Sequence, residues 1–123
     1  MYKRQDLERI QSPFDKITYE KAILKLQKNG SKITWGQTIE NENEKKLSNM
    51  FDKPFFITEF PLDYQTFFYE GVKEKPELTK SADLIAPQGY GELSSGAQKI
   101  TNKRELTKKM QEIQVNPKDQ QWY

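Results

Sequence analysis

The chain has 123 residues, with 20 Lys and Arg against 18 Asp and Glu, and it contains no cysteine or histidine. Disulfides, thiolate nucleophiles, cysteine-ligated metals and the usual imidazole base are thereby excluded, leaving carboxylates, amines, hydroxyls and backbone groups for any chemistry. A net charge of +2 is too small to argue for nucleic acid by itself, and the 34% hydrophobic content points to a thin core or one completed from elsewhere.

Taken in chain order, residues 1–13 form a polar N-terminal segment with no apolar signal core, and the first residues have the composition of a frayed helix. Thr18 is a suitable N-cap, with Glu20 in the first turn. Tyr19, Ala22, Ile23 and Leu26 follow at helical spacing, and Asn29-Gly30 supplies a stop, so a helix is expected over residues 18–29. Lys32 to Trp35 reads as a short strand or extended turn, and Glu40 to Met50 as a second, charged helix.

Pro54 and Pro61 bound an aromatic, β-branched run from Phe55 to Phe60, expected to be a strand. Thr66 to Tyr69 reads as a second strand, Ala82 to Ala86 as a third, and Glu70 to Lys80 as a surface hairpin loop between them. Pro87 to Gly91 is a turn. Asn102 and Glu105 have the spacing of a capping box, ahead of a third helix marked by Leu106, Met110 and Ile113. Asn116-Pro117 begins a short helical turn, and the last two residues, Trp122 and Tyr123, read as an interrupted core rather than a polar tail. Successive strands joined by hairpin-length connections, with helices at either end, predict an α+β layout: an antiparallel sheet flanked by helices. No apolar run approaches the ~20 residues of a membrane span, so the expected setting is cytoplasmic.

The segment from Ser81 to Ile100 holds the most chemistry. Glu92 precedes the small residues Ser94, Ser95 and Gly96. Small residues weaken a strand unless a ligand or another backbone approaches closely. A carboxylate beside hydroxyls is a donor set for Mg²⁺ held against a nucleotide phosphate, and Asp83 on a neighbouring strand could add a second oxygen. The same residues also suit a tight strand packed under a helix, with Glu92 simply exposed. The aromatic cluster around Phe55, Phe60 and Phe68 is better explained as core strand than as a base-stacking surface. The acidic run Glu40, Glu42, Glu44 could bind a cation but better suits the first turns of a helix, and the basic run Lys103, Arg104, Lys108, Lys109 could touch phosphate but better suits a solvated helix face.

Several consecutive motifs resemble the asparaginyl-tRNA synthetases, class II enzymes of archaeal type. Ile33-Thr34-Trp35-Gly36-Gln37 followed by Glu42 to Leu47 is similar to the family's Trp-Gly step and acidic helix. Pro54 to Pro61 resembles the strand after it, and Asp83 to Glu92 resembles an Asp-Leu-(Leu/Ile)-Ala-Pro…Gly-Glu segment. Ser94-Ser95-Gly96-Ala97-Gln98 also resembles the archaeal and eukaryotic aspartyl-tRNA synthetases, and Asn116-Pro117 with Trp122-Tyr123 resembles the stretch before the family's third signature.

The resemblance covers roughly residues 14–123 and implies a partial class II catalytic domain over that span, with ATP and Mg²⁺ as cofactors and asparagine or aspartate as the amino acid. It places Glu92, Ser95 and Asp83 at the nucleotide site, with Glu92 and Ser95 as metal ligands and the small Ser94 and Gly96 on its floor. It places Gln65, Gln98 and Lys99 at the amino acid. Gln65 stands where these enzymes usually carry Lys, and Lys99 where they carry Arg, which exchanges a planar fork for a point charge. The family's three signatures, with their arginines, are not represented in these residues, so no residue is assigned as catalytic. The expected role is ATP-dependent activation of asparagine (or aspartate) for transfer to tRNA as part of a complete core, with a full-length synthetase or a complementing fragment as partner, and no activity from this polypeptide alone. The alternative is a non-catalytic interaction or small-ligand-binding module derived from the same core.

Overall fold

The computed structural model describes residues 13–62 and 68–112. In chain order they form β1 (Asp15–Thr18), α1 (Tyr19–Lys28), α2 (Asn41–Ser48), β2 (Phe55–Thr58), β3 (Gly71–Val72), β4 (Lys75–Thr79), β5 (Ser81–Ala86), β6 (Gly91–Ala97) and α3 (Lys103–Glu112).

Helix α1 follows its sequence closely. The Thr18 hydroxyl accepts the Lys21 N–H at 3.2 Å, and the chain leaves the helix at Asn29 and Gly30, where φ reaches +88°. Tyr19, Ala22, Ile23 and Leu26 are all buried. Helix α2 is shorter than the expected 40–50 span, because after Ser48 the N–H groups of Met50 and Phe51 turn back onto Leu47 and Ser48. In α3 the Asn102 side chain accepts from the N–H groups of Arg104 and Glu105, the capping role its spacing implied.

Among the described residues, one sheet has the order β1-β2-β5-β6 and a second pairs β3 with β4. The main sheet is mixed. β2 runs antiparallel to β5 and β5 to β6, but β1 pairs parallel with β2, Asp15 opposite Phe55 and Thr18 opposite Thr58. A parallel neighbour needs a crossover connection, here built from α1 and α2. The sequence reading assigned no strand at Asp15–Thr18: four residues with one fully apolar side chain carry little strand signal. Of the two forms expected for Lys32 to Trp35, the structure takes the turn and not the strand. One other expectation is corrected: the hairpin loop expected over Glu70 to Lys80 contains the β3–β4 ribbon. Of the strand expected at 66–69, Phe68 lies in a turn and Tyr69 makes an isolated bridge to Lys99, while residues 66 and 67 lie outside the described residues, as do Ile113 and the 116–123 stretch.

The core lies between α1, α2 and one face of the sheet. Leu26, Ile23, Leu47, Phe55, Ile57 and Ile85 are each 2% exposed or less, and Phe51 stacks on Phe55 with ring centroids 3.9 Å apart. Burying each large apolar side chain contributes about 1.5–3 kcal/mol. Phe55 faces Ile85 and Ile57 faces Asp83 across β2 and β5, so the carboxylate of Asp83 emerges on the helix-covered face of the sheet.

Candidate functional site

On that face lies a pocket of about 620 Å³. Asp83, Glu92, Ser95 and Gly96 line one wall, on β5 and β6. The opposite wall is the loop from Trp35 to Glu40, with Tyr19 behind it, and the ribbon side is made by Phe60, Pro61, Leu62, Glu77, Thr79 and Ser81.

Strand periodicity alone does not bring Glu92 and Ser95 together. Residues three apart in a regular strand point to opposite faces. Between β5 and β6 the register slips: Leu84 pairs with Ser94, but Ile85 pairs with Glu92. Leu93 is the extra residue of a β-bulge and stands 54% exposed. The bulge resets the alternation, so Glu92 joins Ser95 at the same pocket. Ser95 lies opposite Asp83 and its hydroxyl donates to Asp83 Oδ1 at 2.6 Å.

The site is acidic. Burial raises the Asp83 carboxyl above its ordinary range, partly offset by the Ser95 hydrogen bond. Glu92 is raised too, first by partial loss of water, then by repulsion from Asp83 and Glu44. Glu40, Glu44, Glu77, Asp83 and Glu92 all line the pocket, and among the described residues no Lys or Arg does. No group of three or more acidic residues is placed to hold a metal among the described residues. Mg²⁺ usually takes one or two carboxylates and completes its shell with phosphate oxygens and water. Asp83, Glu92 and Ser95 bring hard oxygen donors of that type to one pocket.

The facing loop is pinned by one hydroxyl. Tyr19 OH accepts the Gly36 N–H at 2.9 Å and donates to the Gln37 carbonyl, while the Gln37 side chain accepts the Thr34 N–H. Gly36 has φ +99°, a region open to glycine. Trp35 lies edge-on to Tyr19 at 6.0 Å and is half exposed.

The site residues expected from the sequence are thus divided. Glu92, Ser95, Asp83 and Gly96 come together. Ser94 pairs with Leu84 and does not line the pocket. Gln98 and Lys99 also lie outside the lining: Gln98 makes backbone hydrogen bonds to Lys80 and Glu70, and the Lys99 ammonium sits 5.7 Å from the Phe68 ring centroid. Gln65 lies outside the described residues. The sequence reading set Glu44 aside and missed Tyr19, since an acidic run before lysines and an aromatic at helical spacing both have ordinary structural explanations. It also missed Thr79 and Ser81, whose hydroxyls meet at 2.7 Å where β4 passes into β5.

Comparison with known proteins agrees with this architecture. The family of class II tRNA synthetases (D, K and N) matches residues 1–123. The chain is 35% identical over 117 residues to the asparagine–tRNA ligase of Pyrococcus abyssi, covering 95% of this chain but 27% of that enzyme's length. The crystal structure of Pyrococcus horikoshii asparaginyl-tRNA synthetase complexed with asparaginyl-adenylate superposes with a TM-score of 0.82 at 32% identity, over 92% of this chain and 26% of that one. The aspartyl-tRNA synthetase of Entamoeba histolytica follows at a TM-score of 0.80 and 27% identity, over 89% of this chain and 23% of its own. The sheet, the helices and the matched span together make this chain a member of the class II tRNA synthetase family of the D, K and N type.

Proposed function

We propose that this chain supplies the Mg²⁺–ATP wall of an asparagine-activating class II core, over a partial catalytic domain spanning residues 14–123. The observation that carries the reading is the convergence of Asp83, Glu92 and Ser95 on one pocket through the Leu93 bulge. The similarity to asparagine–tRNA ligases and to a synthetase holding asparaginyl-adenylate supports it.

In the reaction proposed, a carboxylate oxygen of asparagine bonds to the α-phosphorus of ATP, the bond to the β-phosphate oxygen breaks, and pyrophosphate leaves. Transfer of the activated acyl group to tRNA belongs to the complete synthetase. Glu92 and Ser95, with Asp83 beside them, would hold Mg²⁺, which when bound neutralises phosphate charge and orients the chain of phosphates. Asp83 orients the Ser95 hydroxyl by accepting its hydrogen bond, leaving the serine lone pairs for the ligand. Gln65, Gln98 and Lys99 are assigned to the amino acid on the strength of the resemblance. A cytoplasmic setting belongs to the same proposal. Among the described residues, no helix is long and apolar enough to cross a membrane.

Thermal unfolding followed by circular dichroism, with and without millimolar Mg²⁺–ATP, tests the reading. A ligand at a hundredfold its dissociation constant stabilises the state it binds by about 2.7 kcal/mol, several degrees in Tm for a domain of this size. Glu92→Ala should abolish the rise. A wild-type melt that ignores Mg²⁺–ATP would remove the nucleotide role from this pocket.

A further inference from the structure

The turn that delivers Glu92 to the pocket is fastened to the end of α2 by one side chain. Ser48 is 1% exposed. Its Oγ accepts the Gly89 N–H at 2.7 Å and donates to the Lys45 carbonyl at 3.1 Å. Its own carbonyl accepts the Gln88 N–H at 3.3 Å. The hydroxyl thus both donates and accepts, and it joins two segments 41 residues apart.

The turn needs such a fastening. Gln88 has φ +57°, a left-handed state that in a non-glycine residue persists where the surroundings over-determine it, while Gly89 and Gly91 take φ of +79° and +101°, which glycine adopts freely. The fit against α2 is close as well. A Cβ on Gly89 would stand 3.2 Å from Lys45 Cγ, and one on Gly91 3.8 Å from a Glu44 carboxylate oxygen. Glu44 and Ser48 are four residues apart, so one face of α2 presents a carboxylate to the pocket and, a turn later, a hydroxyl to the turn. The bulge at Leu93 begins two residues after Gly91.

We propose that Ser48 is a positioning residue: by locking the 87–91 turn onto α2 it sets where β6 begins, and so holds Glu92 in the pocket at a fixed separation from Glu44. The role assigned to Glu92 rests on the nucleotide reading above; the role assigned to Ser48 in seating the turn does not.

The test uses the full chain without ligand first. Amide hydrogen exchange is measured by NMR for wild type, Ser48→Ala and Ser48→Thr. In Ser48→Ala the Gly89 amide should exchange at least about tenfold faster relative to Ile57 and Leu26, the scale of one lost hydrogen bond. The Gly91 and Glu92 resonances should move while those of β1 stay in place. Ser48→Thr, which keeps the hydroxyl, should restore both. Mg²⁺–ATP titration of the same proteins should then show severalfold weaker binding for Ser48→Ala and recovery in Ser48→Thr. Uniform acceleration across the sheet, or an unchanged Gly89 amide, would mean Ser48 is ordinary core and overturns the proposal. If Ser48→Ala does not fold, Gly89→Ala breaks the same seat from the turn side: Glu92 resonances shifted with β1 unchanged support the proposal, and unshifted ones overturn it. A wild-type chain that fails to bind Mg²⁺–ATP sinks the nucleotide reading instead, and the exchange comparison still decides Ser48.

Discussion

Asp83 stands half-buried on the helix-covered face of the sheet, with the Ser95 hydroxyl donating to one of its oxygens. Burial nevertheless holds its carboxyl above the ordinary range. The native state therefore binds that proton more tightly than the unfolded chain does. Stability from this group is complete below the unfolded value and is lost as pH rises through the native one. Asp83→Asn keeps an acceptor for Ser95 and never ionises, so Tm should rise by a few degrees at neutral pH. The gain should vanish near about pH 3, where both forms are uncharged. Melting curves at the two pH values check this, and a neutral-pH loss, or a gain independent of pH, would contradict it. The residue chemistry here was legible in part. Asp83, Glu92 and Ser95 could be named from carboxylates beside hydroxyls and from a family resemblance. The geometry joining them could not, because Glu92 and Ser95 have the spacing of opposite faces. Only the pairing of β6 with β5 reveals Leu93 as the extra residue.

Helices α1 and α3 both carry caps readable in the sequence, but the structure gives the two caps different weight. Thr18 starts a helix whose Ala22, Ile23 and Leu26 are each 2% exposed or less, and it is also the last residue of β1. Asn102 starts a helix that buries Met110 alone among its described residues. Removing the Thr18 hydroxyl should cost about 1 kcal/mol and lower the global Tm by roughly 4–8 °C. Asn102→Ala should fray α3 locally, seen as faster amide exchange at Arg104 and Glu105, and leave the main melt within about 1 °C, as local opening outside the core does. Equal falls in Tm would show α3 to be part of the cooperative core. Elements with a strong period were legible for the same reason that they are stable: α1, β2 and β5 each present an apolar face to one core. β1 was not. Of Asp15, Lys16, Ile17 and Thr18, only Ile17 packs against that core, and parallel register with β2 makes the segment a strand. The β3–β4 ribbon was equally hidden, since Pro76 and the charges around it read as loop.

At the scale of the whole molecule, charge separates binding from catalysis. Five carboxylates line the pocket and, among the described residues, no Lys or Arg joins them. Adenylate formation brings an amino-acid carboxylate against a polyphosphate and develops further negative charge at the α-phosphorus, so preorganised cations aimed at that atom are usually the largest catalytic contribution. On the reading proposed above, one Mg²⁺ held by Glu92 and Ser95 would balance ground-state phosphate charge, but the amino acid's carboxylate would still approach an acidic wall. The chain spans 27% of the Pyrococcus abyssi ligase, and β6, with Glu92 to Gly96 all exposed, stands at the edge of the main sheet among the described residues. An edge strand bearing the proposed ligand residues is a surface on which further chain can be laid by strand pairing. The 123-residue polypeptide should therefore bind Mg²⁺–ATP yet show no asparagine-dependent ATP–pyrophosphate exchange above background. Exchange should reappear when the remaining three quarters of a related asparagine–tRNA ligase is added as a separate polypeptide, and Glu92→Ala should suppress that recovery. Exchange by the 123-residue chain alone would show that the acidic pocket needs no added cations, and would overturn this division of labour.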